Sequence, residues 1–80
     1  MLDLRPNCEC CNKSLPADST EAKICSFECT FCCRCADDVL NNQCPNCGGE
    51  LVNRPRRPIE KLATHPASTT RVLNTTKCRQ

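Results

Sequence analysis

A small α+β domain stabilised by metal ions is the fold class that the sequence predicts, from the number of its cysteines, their spacing and the scarcity of other apolar side chains. Eleven of the 80 residues are cysteines, and eight of these stand in pairs separated by two or three residues. The chain has two Phe and no Trp or Tyr, so burial of apolar surface cannot by itself offset the entropy of ordering so short a chain. Metal ions or disulfide bonds must therefore stabilise it.

The cysteines are predicted to bind metal rather than to form disulfides. The chain begins Met-Leu-Asp-Leu-Arg-Pro-Asn, without the apolar run of a secretory signal, and has no stretch long enough to span a membrane. We therefore expect a cytoplasmic protein with reduced thiols, and an odd number of cysteines also fits a complete disulfide framework poorly. A mature fragment whose signal had been removed would evade this argument.

The elements of the cysteine-rich part are expected to be short. Residues 12–20, with Pro, Asp and Ser, indicate a loop, and residues 21–24 are expected to pair with the stretch around Phe31 as a hairpin. Residues 50–52 add a short strand. A helix is predicted at 34–41, where three apolar residues fall on one face: Ala36, Val39 and Leu40.

Charge divides the chain into a predicted module, residues 1–53, and a predicted tail, residues 54–80. The first part carries four basic and eight acidic side chains, a net −4, and the second carries seven basic and one acidic, a net +6. Prolines make the tail largely extended or disordered, apart from about one helical turn at 59–63, and residues 68–80 are expected to be mobile.

Eight cysteines have the spacing of two tetrahedral zinc sites. From Cys8 to Cys47 they follow the pattern Cys-x2-Cys, thirteen residues, Cys-x3-Cys-x2-Cys-x2-Cys, eight residues, Cys-x2-Cys. In such turns, called zinc knuckles, backbone N–H groups can donate to sulfur, and the two glycines after Cys47 permit a close approach. Two structural zinc ions are therefore predicted, each contributing about 10 kcal/mol of apparent folding free energy.

The same residues give the chain a resemblance to RING fingers. It covers half of the chain, Cys8 to Cys47, and its local signature is Ile24-Cys25, Cys29-Thr30-Phe31-Cys32, Cys35 and Cys44-Pro45-x-Cys47. A cysteine stands at position 29, where many RING fingers have histidine. The opening Leu-Arg-Pro-Asn-Cys, residues 19–32 and the run Cys-Pro-Asn-Cys-Gly-Gly-Glu-Leu-Val are more closely similar to a family of small bacterial zinc proteins of unassigned function. This resemblance implies a RING-like cross-brace but no activity.

The RING resemblance also implies which cysteines share an ion. Zinc 1 would be held by Cys8, Cys11, Cys32 and Cys35, and zinc 2 by Cys25, Cys29, Cys44 and Cys47. Spacing alone leaves a sequential alternative open, in which the first four of these cysteines along the chain hold one ion and the last four the other. The interleaved pairing is favoured because both ions would then clamp one shared core, formed by Ile24, Phe31, Val39, Leu40 and Leu51.

Three cysteines are left over: Cys10, Cys33 and Cys78. They are interpreted as spare thiols. A sharper alternative is that Cys10 or Cys33 exchanges into a site or starts an oxidation that expels zinc, and that Cys78 forms an intermolecular disulfide. His65 is interpreted as a solvated side chain.

Catalysis is not expected, because four thiolates close the coordination shell of zinc and leave no position for water or substrate. The RING resemblance suggests ubiquitin-ligase activity, but most of the ligase contact residues are absent. Glu9 and Cys10 stand where ligases have an aliphatic side chain, and Gly48 stands where a basic one follows the last ligand. The predicted helix also lacks their aromatic residue, and only Pro45 agrees.

The function predicted from the sequence is that of a structural zinc module that binds another protein. Association with nucleic acid through the basic tail is the alternative, although the tail has no aromatic side chains for stacking and the module is acidic. The tail could instead fold back on the module as an electrostatic partner. A thiol-redox zinc switch is the third possibility, and no membrane or small-molecule substrate is expected.

Overall fold

The computed structural model describes residues 2–73. In this part of the chain three short strands, β1 (Ala22–Ile24), β2 (Thr30–Cys32) and β3 (Val52–Asn53), form an antiparallel sheet in the order β2-β1-β3. Helix α1 (Cys33–Asp38) follows β2 directly, and α2 (Ile59–Leu62) lies in the tail. The predicted small α+β fold, with a hairpin and a short helix, is confirmed.

Strand β1 is the centre of the sheet, and its side chains alternate between the two faces. Ala22 and Ile24 are buried, whereas Lys23 between them is only half-buried, as the two faces of a strand require. Lys23 lies opposite Phe31 of β2 and opposite Asn53 of β3. The hairpin thus forms where it was predicted, while β3 begins at the end of the predicted stretch 50–52.

Helix α1 ends at Asp38, three residues earlier than the sequence predicted. The chain turns sharply at Asn41 and Asn42, whose φ angles of 52° and 59° lie in the left-handed region, which asparagine tolerates better than most residues. The backbone N–H of Asn42 reaches back to the carbonyl of Ala36 at 2.6 Å. Because the last turn closes in this way, Leu40 is left only partly buried against the core.

The hydrophobic core is small and more than half of it is sulfur-bearing. Among the described residues, its eleven buried members include six cysteines. Phe31 is fully buried and Leu51 nearly so, as predicted, but the equally buried Leu15 was not expected because it lies in the segment assigned to a loop. The backbone N–H of Leu15 donates to the carbonyl of Pro6 at 2.7 Å, which turns this loop inward. A core of this size needs further support, and the clustered thiols are the candidates for supplying it.

The described part of the tail packs against the N-terminal segment. The guanidinium of Arg54, which is 5% exposed, donates to the backbone carbonyls of Arg5, Leu15 and Pro16 at 2.8–3.1 Å. Further along, Arg57 donates to the carbonyl of Leu2 at 2.8 Å. The predicted helical turn is present as α2, and residues 74–80 of the stretch expected to be mobile lie outside the described residues. Within 2–73 no helix is long and apolar enough to cross a membrane.

Candidate metal centre

Four cysteines from two distant segments bring their thiols together. All four sulfur atoms lie within 4.8 Å of one another; they belong to Cys8, Cys11, Cys32 and Cys35. The Sγ atoms of Cys11 and Cys32 are 3.7 Å apart. Zinc–sulfur bonds of about 2.3 Å in a regular tetrahedron place neighbouring sulfurs about 3.8 Å apart. The first thiol group therefore fits a four-coordinate ion with little rearrangement.

A second group consists of Cys25, which follows β1, and of Cys44 and Cys47 in the turn before β3. Their thiols also lie within 4.8 Å of one another. Cys29, assigned to this site from the sequence, is not one of the three, but it is buried and its thiol lies next to the thiol of Cys25 and the side-chain amide of Asn46. Its role as the fourth ligand stays a prediction.

Backbone N–H groups point at the sulfur atoms of both groups. In the described part of the chain, five such contacts have N···S distances of 3.3–3.5 Å: Cys10 to Cys8, Phe27 to Cys25, Cys35 to Cys32, Asn46 to Cys44, and Gly49 to Cys47. A thiolate accepts these bonds more strongly than a neutral thiol does, so the backbone is arranged for deprotonated sulfur. This is the arrangement that the knuckle spacing predicted.

A glycine after Cys47 gives the last of these turns its backbone conformation. Gly48 has a φ of +78°, which side chains with a Cβ rarely adopt. A Cβ on Gly49 would lie 3.4 Å from the sulfur of Cys47, and the N–H of Gly49 donates to that same sulfur. The positive φ of Gly48 is therefore the feature of this turn that favours glycine, whereas a Cβ at position 49 would be at ordinary contact distance.

Burial raises the pKa of several of these thiols. It raises the pKa of the Cys44 thiol to about 12, and it raises the pKa of Cys35 further and that of Cys32 in the same direction. Burial acts on Cys11 too, but the backbone N–H of Lys13 and the neighbouring thiols outweigh it and lower the pKa of Cys11. Four thiolates cannot share so small a volume without a compensating positive charge, which a divalent ion supplies.

A buried carboxylate connects the two groups, and its one signal in the sequence is its place between two cysteines. Glu9 is 2% exposed. Its oxygens accept from the backbone N–H of Thr30 at 3.0 Å, from the amide of Asn46 at 3.1 Å and from the guanidinium of Arg5 at 3.2 Å. Glu9 belongs to the first knuckle and Asn46 to the last one, so this side chain joins the two thiol groups mechanically.

Of the left-over residues that the structure describes, none belongs to either thiol group. Cys33 is a free, half-buried thiol whose sulfur lies 3.9 Å from the carbonyl of Thr20. Cys10 is disulfide-bonded, so its interpretation as a spare, reduced thiol was wrong. His65 is exposed and contacts the neighbouring Thr64 hydroxyl at 2.9 Å. Cys78 lies outside the described residues.

Comparison with known proteins gives a family but no activity. Residues 1–57 match the sequence profile of a family described as "Protein of unknown function (DUF1272)". An uncharacterized protein of Rhizobium meliloti (strain 1021) is 62% identical over 78 residues, which cover 98% of this chain and 93% of that protein. No solved structure matches the chain. The resemblance to a family of unassigned function is thereby confirmed.

Proposed function

Because the chain belongs to this family of unknown function, its role has to be argued from its own residues, and we propose that it is a structural zinc module that binds another protein. Two zinc ions hold the module in one shape, and its surface recognises the partner. The observation that carries the proposal is the convergence of cysteines that are far apart in the sequence into two compact thiol groups.

The order of the two groups along the chain supports the RING-like cross-brace. Cys8 and Cys11 join Cys32 and Cys35, while Cys25, which lies between these pairs, joins Cys44 and Cys47. A sequential pairing would instead require the thiol of Cys25 beside those of the first knuckle. With Cys29 as the remaining ligand of the second ion, the ligand pairs of the two ions would alternate along the chain.

Zinc is the metal that this donor set favours. Soft thiolate ligands in a tetrahedron suit zinc or iron–sulfur chemistry, and the 3.7 Å separation of the Cys11 and Cys32 sulfurs fits one edge of the tetrahedron around a single ion. Four thiolates leave no open position on the ion, which supports a structural role over a catalytic one. Reduced ligand thiols also suit the cytoplasm.

Two features support a protein partner over nucleic acid. Phe27, in the turn that follows Cys25, is 71% exposed, and an aromatic side chain in the open is of use in protein recognition. Three tail arginines, Arg54, Arg57 and Arg71, already donate to backbone carbonyls of the N-terminal segment. They are thus less available to phosphates, which a nucleic-acid interface would require.

Native mass spectrometry of the reduced full chain tests the metal part of the proposal, and we expect a mass increase of two zinc ions. Cobalt substitution should give the charge-transfer and ligand-field bands of tetrahedral thiolate sites. Affinity capture from extract of the source cells, before and after chelation, tests the partner part. Retention of the same proteins after the metal has been removed, or retention of nucleic acid alone, would contradict it.

A further inference from the structure

The last described part of the tail lies against the first knuckle, and the first of its two contacts there is with a buried side chain. Asn7 is 1% exposed. Its Nδ2 donates to the carbonyl of Val72 at 2.8 Å, and its Oδ1 accepts from the N–H of Val72 at 3.3 Å. A single amide side chain therefore pairs with both backbone groups of one residue, as a neighbouring strand would in a sheet.

A second contact recognises a side chain. The guanidinium of Arg71 donates to the Oδ1 and to the backbone carbonyl of Asn12, both at 2.9 Å. Asn12 is held in place because its Oδ1 also accepts from Asn7 at 3.0 Å and because its φ of 64° is set by the turn after Cys11. Metal-bound thiolates nearby would add negative charge that favours a guanidinium here.

The tail segment itself is held loosely. Arg71 is exposed and Leu73 is 52% exposed, while Val72 is only half-buried. The segment belongs to no helix or strand, and polar contacts with little apolar burial place it among the parts of a protein that open at low cost. The amide of Asn7, by contrast, is rigidly placed, because its Nδ2 also donates to the carbonyl of Cys8 at 3.1 Å and to the Oδ1 of Asn12 at 3.0 Å.

We propose that Asn7 and Asn12 form a docking site for an extended, arginine-containing segment of a partner protein, and that Arg71 and Val72 occupy this site in the free chain. Asn7 takes the backbone of the segment and Asn12 takes its arginine. The partner competes with the chain's own tail, which is present at the high effective concentration of a tethered ligand. This inference rests on the proposed function, since it names the kind of segment that the module binds.

The test uses a fluorescent peptide with the sequence of residues 68–73, Ser-Thr-Thr-Arg-Val-Leu, and the zinc-loaded full chain under reducing conditions. Val72→Pro removes the backbone N–H that donates to the Oδ1 of Asn7, so the chain's own tail competes less well with the peptide for the site. We expect this variant to bind the peptide about tenfold more tightly than the unmodified chain, because a larger fraction of sites is open. Thr70→Ala, in the same segment but without a side-chain contact to Asn7 or Asn12, is the matched control and should behave like the unmodified chain.

Two altered peptides test the contacts themselves. A peptide with an N-methylated valine lacks the N–H for Asn7, and one with glutamine in place of arginine lacks the guanidinium for Asn12; each should bind Val72→Pro at least tenfold more weakly. Equal binding of the N-methylated peptide, or no gain of Val72→Pro over Thr70→Ala, would overturn the proposal. If Val72→Pro loses its metal, Arg71→Ala serves in its place, with the same expectation.

The failure of this inference can be told from that of the proposed function. A chain that carries two zinc ions and captures a protein only while metallated, but ignores the peptide, refutes the docking site alone. A well-folded chain without bound metal refutes the proposed function, whatever the peptide does.

Discussion

Replacing Glu9 by glutamine should weaken metal binding at both thiol groups at once. The carboxylate accepts hydrogen bonds from a backbone N–H, an amide and a guanidinium, and it is almost fully buried. Glutamine has nearly the same shape, but its amide NH2 would face one or more of these donors. Each buried donor left without an acceptor costs about 1–3 kcal/mol. Partners in the second coordination shell typically alter metal affinity by about 10–100-fold.

The expected result is a loss of that size for each site, because Glu9 joins the first knuckle to Asn46 in the last one. Titration with a chromophoric chelator, followed by the cobalt bands, measures the two affinities. Glu21→Gln is the matched control, since Glu21 is a glutamate with an exposed side chain whose ion pair is with Lys13. A change confined to one site, or a Glu9→Gln chain that matches the control, would refute the coupling.

Three further predictions concern stability and metal loading. Arg54→Lys should lower the free energy of unfolding of the metallated chain by about 2–3 kcal/mol, because a single ammonium cannot donate to all three carbonyls that the buried guanidinium reaches. Thermal unfolding measures this loss, and Arg56→Lys is the control, expected to be neutral because Arg56 is exposed. Native mass spectrometry should find one zinc ion on Cys29→Ser and two on the control, Cys33→Ser. If both variants carry the same number of ions, Cys29 is not a ligand. Burial raises the pKa of Cys35 and of a second thiol in its group above the ordinary 9.0, so both are protonated at neutral pH and the metal must displace their protons. The affinity of that group should therefore rise at least about 100-fold per pH unit, as measured by chelator competition between pH 6 and 8, and a flat profile would contradict the assignment.

The sequence predicted those features of this protein that depend on neighbouring residues. A Cys-x2-Cys turn has to present both sulfurs to one side, so the knuckles and their N–H···S contacts followed from spacing. The hairpin was predicted between residues 21–24 and the stretch around Phe31, and β1 and β2 form it there. The end of α1 was missed because the helix was predicted to include residue 41, whereas Asn41 and Asn42 adopt positive φ and α1 ends at Asp38.

Contacts between distant residues left no local signal. Nothing near Glu9 indicates that its carboxylate meets an amide 37 residues away, and Leu15 is buried although its neighbours are typical of a loop. The prolines and the polar composition of the tail predicted extension or disorder, but they do not reveal that Arg71 and Val72 hydrogen-bond with Asn12 and Asn7 beside the first knuckle. Such pairings are decided by the packed chain, not by the segment.

The placement of Arg54 limits how this polypeptide can be divided. The change of charge suggests a domain boundary after residue 53. The next residue is Arg54, however, and its guanidinium connects the end of strand β3 to three backbone carbonyls within residues 5–16. A fragment that ends at residue 53 would lack the guanidinium that donates to these carbonyl oxygens, and a cavity would remain in its place. The smallest piece able to stand alone must therefore reach past this arginine.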